Sequence, residues 1–132
     1  AAYDSSKFAE SDVRPFISDI FVEFEKADLI ICRAGATTCA EIAAAGRPAI
    51  MVPFPLAADD HQRKNAEAMQ SGGAVKMILQ KDLTGDVLAG EIKELTGSPE
   101  VLTEMSKSAR NIGRKNAASE TVDIIEELKR NV

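Results

Sequence analysis

Arg33-Ala34-Gly35-Ala36-Thr37-Thr38 follows an apolar run and opens a helix-forming stretch, a combination able to hold an anion. Gly35 permits a tight turn and close backbone approach. The first N–H groups of a helix have no intrahelical partner and face outward. Small side chains at Ala36 and Thr37 leave room for a diphosphate, to whose oxygens the hydroxyls of Thr37 and Thr38 can donate. The same residues also suit an ordinary strand-to-helix turn with Thr37 or Thr38 as N-cap, and the stretch is neither a P-loop nor a GxGxxG fingerprint. Glu41 lies one turn further in. A carboxylate there can accept two hydrogen bonds from vicinal ribose hydroxyls, with the helix start keeping it ionised. It also completes a capping box, Thr38-Cys39-Ala40-Glu41. Spacing leaves the two readings level.

A second polar cluster ends residues 53–62 (PFPLAADDHQ), a proline-stiffened loop after another apolar run. Asp59 or Asp60 suits an N-cap, which would make His61 and Gln62 plain exposed first-turn residues. The functional alternative is that both point back over the strand ends and hydrogen-bond a sugar's hydroxyls, with Asn65 bracing that loop. His61 is the only histidine. No Ser or Cys stands beside it by motif and no acid lies at metal-ligand spacing, so a substrate contact or a structural polar residue outweighs a general base. Cys32 and Cys39, the only cysteines, sit in apolar contexts without metal-ligand spacing. They read as reduced, mostly buried thiols, which suits a reducing cytoplasm. No catalytic residue, metal or cofactor is expected in this chain.

The elements that must position these residues alternate. Residues 27–32 (ADLIIC), 48–53 (PAIMVP) and 74–79 (AVKMIL) are apolar runs of strand length, as expected for strands buried on both faces. Between them, 37–45 and 60–71 are helical patterns that stop at Gly46 and at Gly72-Gly73. Upstream, 14–17 (RPFI) reads as a short strand edge or loop and 18–26 as a helix. Downstream come three helices, at about 84–95, 99–112 and 119–130. This order predicts an α/β fold with a doubly wound parallel sheet and right-handed crossovers. Ligands in such sheets bind beyond the carboxyl ends of the strands. The polar clusters follow Cys32, Val52 and Ile17, where that rule expects them.

The chain has 132 residues, enough for one domain with a hydrophobic core and too few for two. Its 45% hydrophobic and 28% charged residues are globular values, and the net charge of -5 argues against nucleic-acid binding through phosphate neutralisation. It argues equally against a basic patch for anionic lipid. No apolar run approaches the length that spans a bilayer, and no signal-peptide pattern opens the chain.

Taken in order, residues 27–66 (ADLIICRAGATTCAEIAAAGRPAIMVPFPLAADDHQRKNA) closely resemble the C-terminal domain of MurG-type UDP-N-acetylglucosamine transferases of glycosyltransferase family 28. RPFISDI resembles the segment that precedes this block in that family. The resemblance implies a Rossmann-like C-terminal half of a GT-B fold, and an activity that adds N-acetylglucosamine to lipid I, giving lipid II in peptidoglycan synthesis. Carried onto matching residues, it implies that Phe16 and Ile17 form the pair at the uracil pocket and that Gly35, Ala36, Thr37 and Thr38 hold the diphosphate. Glu41 then binds the ribose hydroxyls, while His61 and Gln62 face those of N-acetylglucosamine. It also implies a cytoplasmic protein, its parent enzyme peripheral on the cytoplasmic face of the inner membrane.

The family's N-terminal domain, with its lipid I acceptor site and proposed His base, has no match here, nor do the Gly-Gly-Ser-type loop and His-Gln-Thr-Gly stretch that open its C-terminal domain. Residues 1–132 are therefore expected to be a partial UDP-sugar-binding domain, truncated at its N-terminus, inactive alone and prone to self-association. The competing readings are a standalone donor subunit of a split transferase and a non-catalytic nucleotide-binding or assembly module.

Overall fold

The computed structural model describes residues 10–131. Three parallel strands, β1 (Ile30–Cys32), β2 (Ala49–Met51) and β3 (Val75–Met77), form one sheet in the order β1-β2-β3. The registers pair Ile31 with Ile50 and Ile50 with Lys76. Helix α1 (Ile20–Lys26) precedes β1, α2 (Ala36–Ala45) links β1 to β2, and α3 (His61–Ser71) links β2 to β3. Helices α4 (Gly85–Thr96) and α5 (Pro99–Arg130) follow. Every element expected between residues 18 and 96 is present, with strands trimmed to the paired residues.

Alternation within the apolar runs divides the core in two. Ala49 and Met51 of β2 face a cluster with Ile42, Ala43, Ala66 and Met69 from α2 and α3. Ile50 and Val52 face the opposite cluster, with Leu95 of α4 and Met105 of α5. All of β2 is buried, as a strand covered on both faces must be. Helices on both faces of a parallel sheet make the fold the expected Rossmann-like one.

Helix α5 joins the two layers. Leu102 and Met105 pack in one cluster, Ala109 and Ile112 in the other. Between them, Arg110 lies against Gly46, and Ser108 and Ile112 lie against Gly73 and Gly72. Those glycines precede β2 and β3, so α5 passes beneath the amino ends of the strands.

One open reading is resolved and one expectation fails. Residues 14–17, read as a short strand edge or a loop, form a loop. Pro15 has no N–H to give a ladder, and Arg14 is turned to Asp12 at 2.8 Å and Glu23 at 3.5 Å. The two final helices are instead one continuous helix of 32 residues. Gly113, in the expected break, is a close-packing site: a Cβ there would stand 2.8 Å from the Ala43 carbonyl oxygen. Beyond it, residues 114–131 are all exposed.

Candidate functional site

The loop after β1 enters α2 through Gly35, which is the N-cap at φ -64° and makes no side-chain cap. The first helical bond runs from the Cys39 N–H to the Gly35 carbonyl at 3.0 Å. Ala36, Thr37 and Thr38 are therefore the first three helical residues, with outward N–H groups that no side chain caps. This removes two alternatives. Neither threonine is the N-cap, and Thr38 with Glu41 is no capping box, because Glu41 sits in the second turn. Among the described residues the Glu41 carboxylate has no hydrogen-bond or ion-pair partner, and it is half-buried.

Gly35 does not need to be glycine for the fold. Its φ is ordinary, and an added Cβ would meet only Gln62 Nε2, at 3.9 Å. The space a side chain would fill lies at the mouth of α2, where an anion would approach.

Two side chains one turn apart on α3 hold this loop. Gln62 Oε1 accepts from the Ala34 N–H at 3.1 Å and from the Phe54 N–H at 3.0 Å, joining the loops after β1 and β2. Its Nε2 stays beside Gly35. Asn65 Nδ2 donates to the Ala34 carbonyl at 3.0 Å. Asn65 was expected to brace the loop after β2 and instead holds the one after β1. Ala34 is fully buried, so both of its backbone groups need partners.

The loop after β2 turns through Asp59 and Asp60, both left-handed at φ 52° and 58°. Asp60 occupies the N-cap position of α3, yet its carboxylate caps nothing. That geometry presents the start of α3 to the strand ends. The His61 side chain is 66% exposed, with Nε2 3.8 Å from Asp59 Oδ2, an ion pair only when the imidazole is protonated. Beside it, Pro53, Pro55, Asp60, Arg63, Leu79, Gln80 and Lys81 line a hollow of about 470 Å3.

Gly35, Ala36, Thr37, Thr38, Glu41, His61 and Gln62 thus all stand on two helix starts that the Gln62 amide draws together. Phe16 and Ile17 do not join them through any hydrogen bond. Phe16 is 79% exposed, and Ile17 lines another hollow with Asp12, Val13, Arg14 and Glu23. Sequence reasoning passed over Arg33 and Gln80, whose side chains bond to each other at 2.6 Å across the strand ends. The signal was an arginine directly after one apolar strand, close to the proline that ends the ladder of the next.

Burial pushes the Cys32 thiol up to about 12, the neighbouring Cys39 adding to it, and burial also raises Cys39. Neither is a poised thiolate. Among the described residues no group of His, Cys, Asp and Glu could hold a metal ion, and no helix is long and apolar enough to cross a membrane.

The model of the glycosyltransferase family 28 C-terminal domain matches residues 2–128. The chain is 48% identical over 119 residues to an Anaeromyxobacter sp. (strain K) protein named UDP-N-acetylglucosamine--N-acetylmuramyl-(pentapeptide) pyrophosphoryl-undecaprenol N-acetylglucosamine transferase, covering 90% of this chain and 31% of that one. A Syntrophus aciditrophicus protein of the same name is 48% identical over 123 residues, covering 93% of this chain and 34% of that one. The crystal structure of Acinetobacter baumannii MurG superimposes with a TM-score of 0.75 at 43% identity, over 88% of this chain and 33% of that chain. The chain thus spans about a third of the length of these relatives. With its parallel sheet, its uncapped α2 and a match along nearly its whole length, the chain belongs to the glycosyltransferase family 28 C-terminal domain family.

Proposed function

We propose that this chain is the donor-binding part of an inverting hexosyltransferase that moves N-acetylglucosamine from UDP-N-acetylglucosamine to a lipid-linked N-acetylmuramyl-pentapeptide pyrophosphate, making lipid II from lipid I. One observation carries the reading: α2 begins at a glycine that the fold does not require, with no side chain capping its N–H groups. A diphosphate is the ligand such a start suits, since N–H groups and helix dipole both favour negative charge. Thr37 and Thr38 add hydroxyl donors, and Glu41 takes the ribose hydroxyls. Gln62 Nε2 and His61 meet the sugar, and Phe16 and Ile17 meet the uracil. The relatives' names support the choice of sugar and acceptor.

Inversion needs a base to deprotonate the attacking acceptor hydroxyl. No residue of this chain takes that role in our reading; base and acceptor site belong to the rest of a full-length enzyme. That enzyme would work in the cytoplasm, at the cytoplasmic face of the membrane carrying its lipid acceptor.

The test is calorimetric titration of the purified chain with UDP and with UDP-N-acetylglucosamine, beside a transfer assay on a lipid I analogue. Both ligands should bind, the nucleotide sugar more tightly, with no turnover. Equal affinities would favour a nucleotide-binding module without sugar discrimination. Clear multiple turnover would place the chemistry within these residues and make His61 the candidate base.

A further inference from the structure

Arg33 stands two residues before Gly35, the N-cap of α2, a position that suggests a phosphate ligand. Its observed bonds lead elsewhere. The ladder of the central strand ends with the Val52 N–H on the Cys32 carbonyl at 2.8 Å and the Ile78 N–H on the Met51 carbonyl at 3.0 Å. Past that point the chain leaves the sheet through Pro53, which has no N–H. Val52 and Pro53 are both buried, so their carbonyls need a donor. Arg33 Nη1 supplies one, 3.3 Å from the Val52 oxygen and 3.4 Å from the Pro53 oxygen. The same nitrogen is 2.6 Å from Gln80 Oε1. The guanidinium carbon lies 5.6 Å from the centre of the Phe54 ring, within cation–π range.

These contacts close a ring. Arg33 lies over Phe54, the Phe54 N–H donates to Gln62 Oε1, and that oxygen also takes the N–H of Ala34, the residue bonded to Arg33. Gln80 ties in the segment after β3. We propose that Arg33 is a positioning residue which, with Gln80, locks the loops after all three strands into one preformed rim, and that it is not a phosphate ligand. The inference takes its ligand from the donor reading above, but the ring is a property of the ligand-free chain. Its consequence is that a side chain beyond the third strand governs the phosphate loop after the first. Rigidity set before binding removes an ordering cost from ligand capture. Lysine is a poor substitute even though a single nitrogen makes the three polar contacts, because its compact, strongly hydrated ammonium lacks the planar group that lies over the Phe54 ring.

The experiment uses the 132-residue chain and its Arg33→Lys, Gln80→Ala and doubly substituted forms. Gln80 is exposed, so Gln80→Ala leaves the core intact. Site-resolved amide hydrogen exchange without ligand should show Ala34 and Phe54 exchanging about tenfold faster in each single variant, the scale of losing a charged hydrogen bond. UDP affinity should fall by a similar factor, and the double variant should be no worse than Arg33→Lys alone, because the two residues act as a unit. Unchanged exchange at Ala34 and Phe54 in both single variants would overturn the proposal. If UDP affinity nevertheless fell, Arg33 would be a direct phosphate ligand. A wild-type chain that bound no UDP would defeat the donor reading, and ligand-free exchange would still decide the positioning role.

Discussion

Glu41 and Gln62 are both central to the candidate site, but their surroundings make them answer differently to substitution. Glu41 has no side-chain partner among the described residues, so Glu41→Gln should leave stability nearly unchanged. It should weaken UDP binding by about 1–2 kcal/mol, because a neutral amide accepts ribose hydroxyls less strongly than a carboxylate. Gln62 already accepts two backbone N–H groups. Gln62→Ala strands both donors and removes the proposed sugar contact, so it should cost about 1–3 kcal/mol of stability and weaken UDP as well as UDP-N-acetylglucosamine. Thermal melts and titrations on the two variants separate these outcomes; an unchanged melting temperature in Gln62→Ala would mean that the Gln62 bridge carries nothing. Asp60 tests the backbone instead. At φ 58° a β-branched side chain is strained, so Asp60→Val should destabilise by about 1–2 kcal/mol. Asp60→Gly should stay within about 1 kcal/mol of the parent, since relief of strain is offset by a more flexible unfolded chain. Denaturant midpoints would show it.

At the scale of elements, the contact between α2 and α5 turns on Gly113. In an open helix, glycine to alanine stabilises by about 1 kcal/mol. Here the new methyl would meet the Ala43 carbonyl oxygen at 2.8 Å and its carbon at 3.1 Å. Those are backbone atoms of a packed helix and cannot turn aside. Gly113→Ala should therefore destabilise despite its helix propensity, by the 1–3 kcal/mol typical of overpacking. A rise in melting temperature would show that α5 stands further from α2 than described. The same contact explains why the helix runs through residues 113–118: one glycine costs little in a helix, and packing against α2 returns more than it loses.

At the scale of the molecule, two apolar surfaces lie open. Among the described residues β1 pairs only with β2, leaving one edge free with Ile31 46% exposed. The end of α5 exposes Val122, Ile124, Ile125 and Leu128. At helical spacing these share one side, away from Glu120, Asp123, Glu126 and Glu127. Free edges and apolar faces invite pairing with another chain. Light scattering should show mass rising with concentration, and Ile125→Asp should lower that rise if the α5 face contributes. A clean monomer at high concentration would count against self-association.

Periodicity and chain order were sufficient for much of this. The apolar runs around Ile30, Ile50 and Val75 alternate with helical patterns, and short crossovers of one hand leave a parallel sheet as the only economical solution. The placement of two polar clusters at strand ends was legible too, because they stand directly after the runs around Ile30 and Ile50. Local rules failed where the deciding partner is distant in sequence. Whether Glu41 belonged to a capping box depended on where α2 begins, and Gly35 begins it once Gln62 and Asn65 hold Ala34 from the neighbouring helix. Gly113 looks like a helix stop until Ala43 is placed beside it. Arg33 looks like a free cation until the carbonyls of Val52 and Pro53 and the amide of Gln80 converge on it. Hydrophobic pattern is a property of neighbours along the chain and can be read there. Satisfying a buried N–H or carbonyl left over at a strand end requires a group brought in by the fold, and only the tertiary structure decides which one arrives.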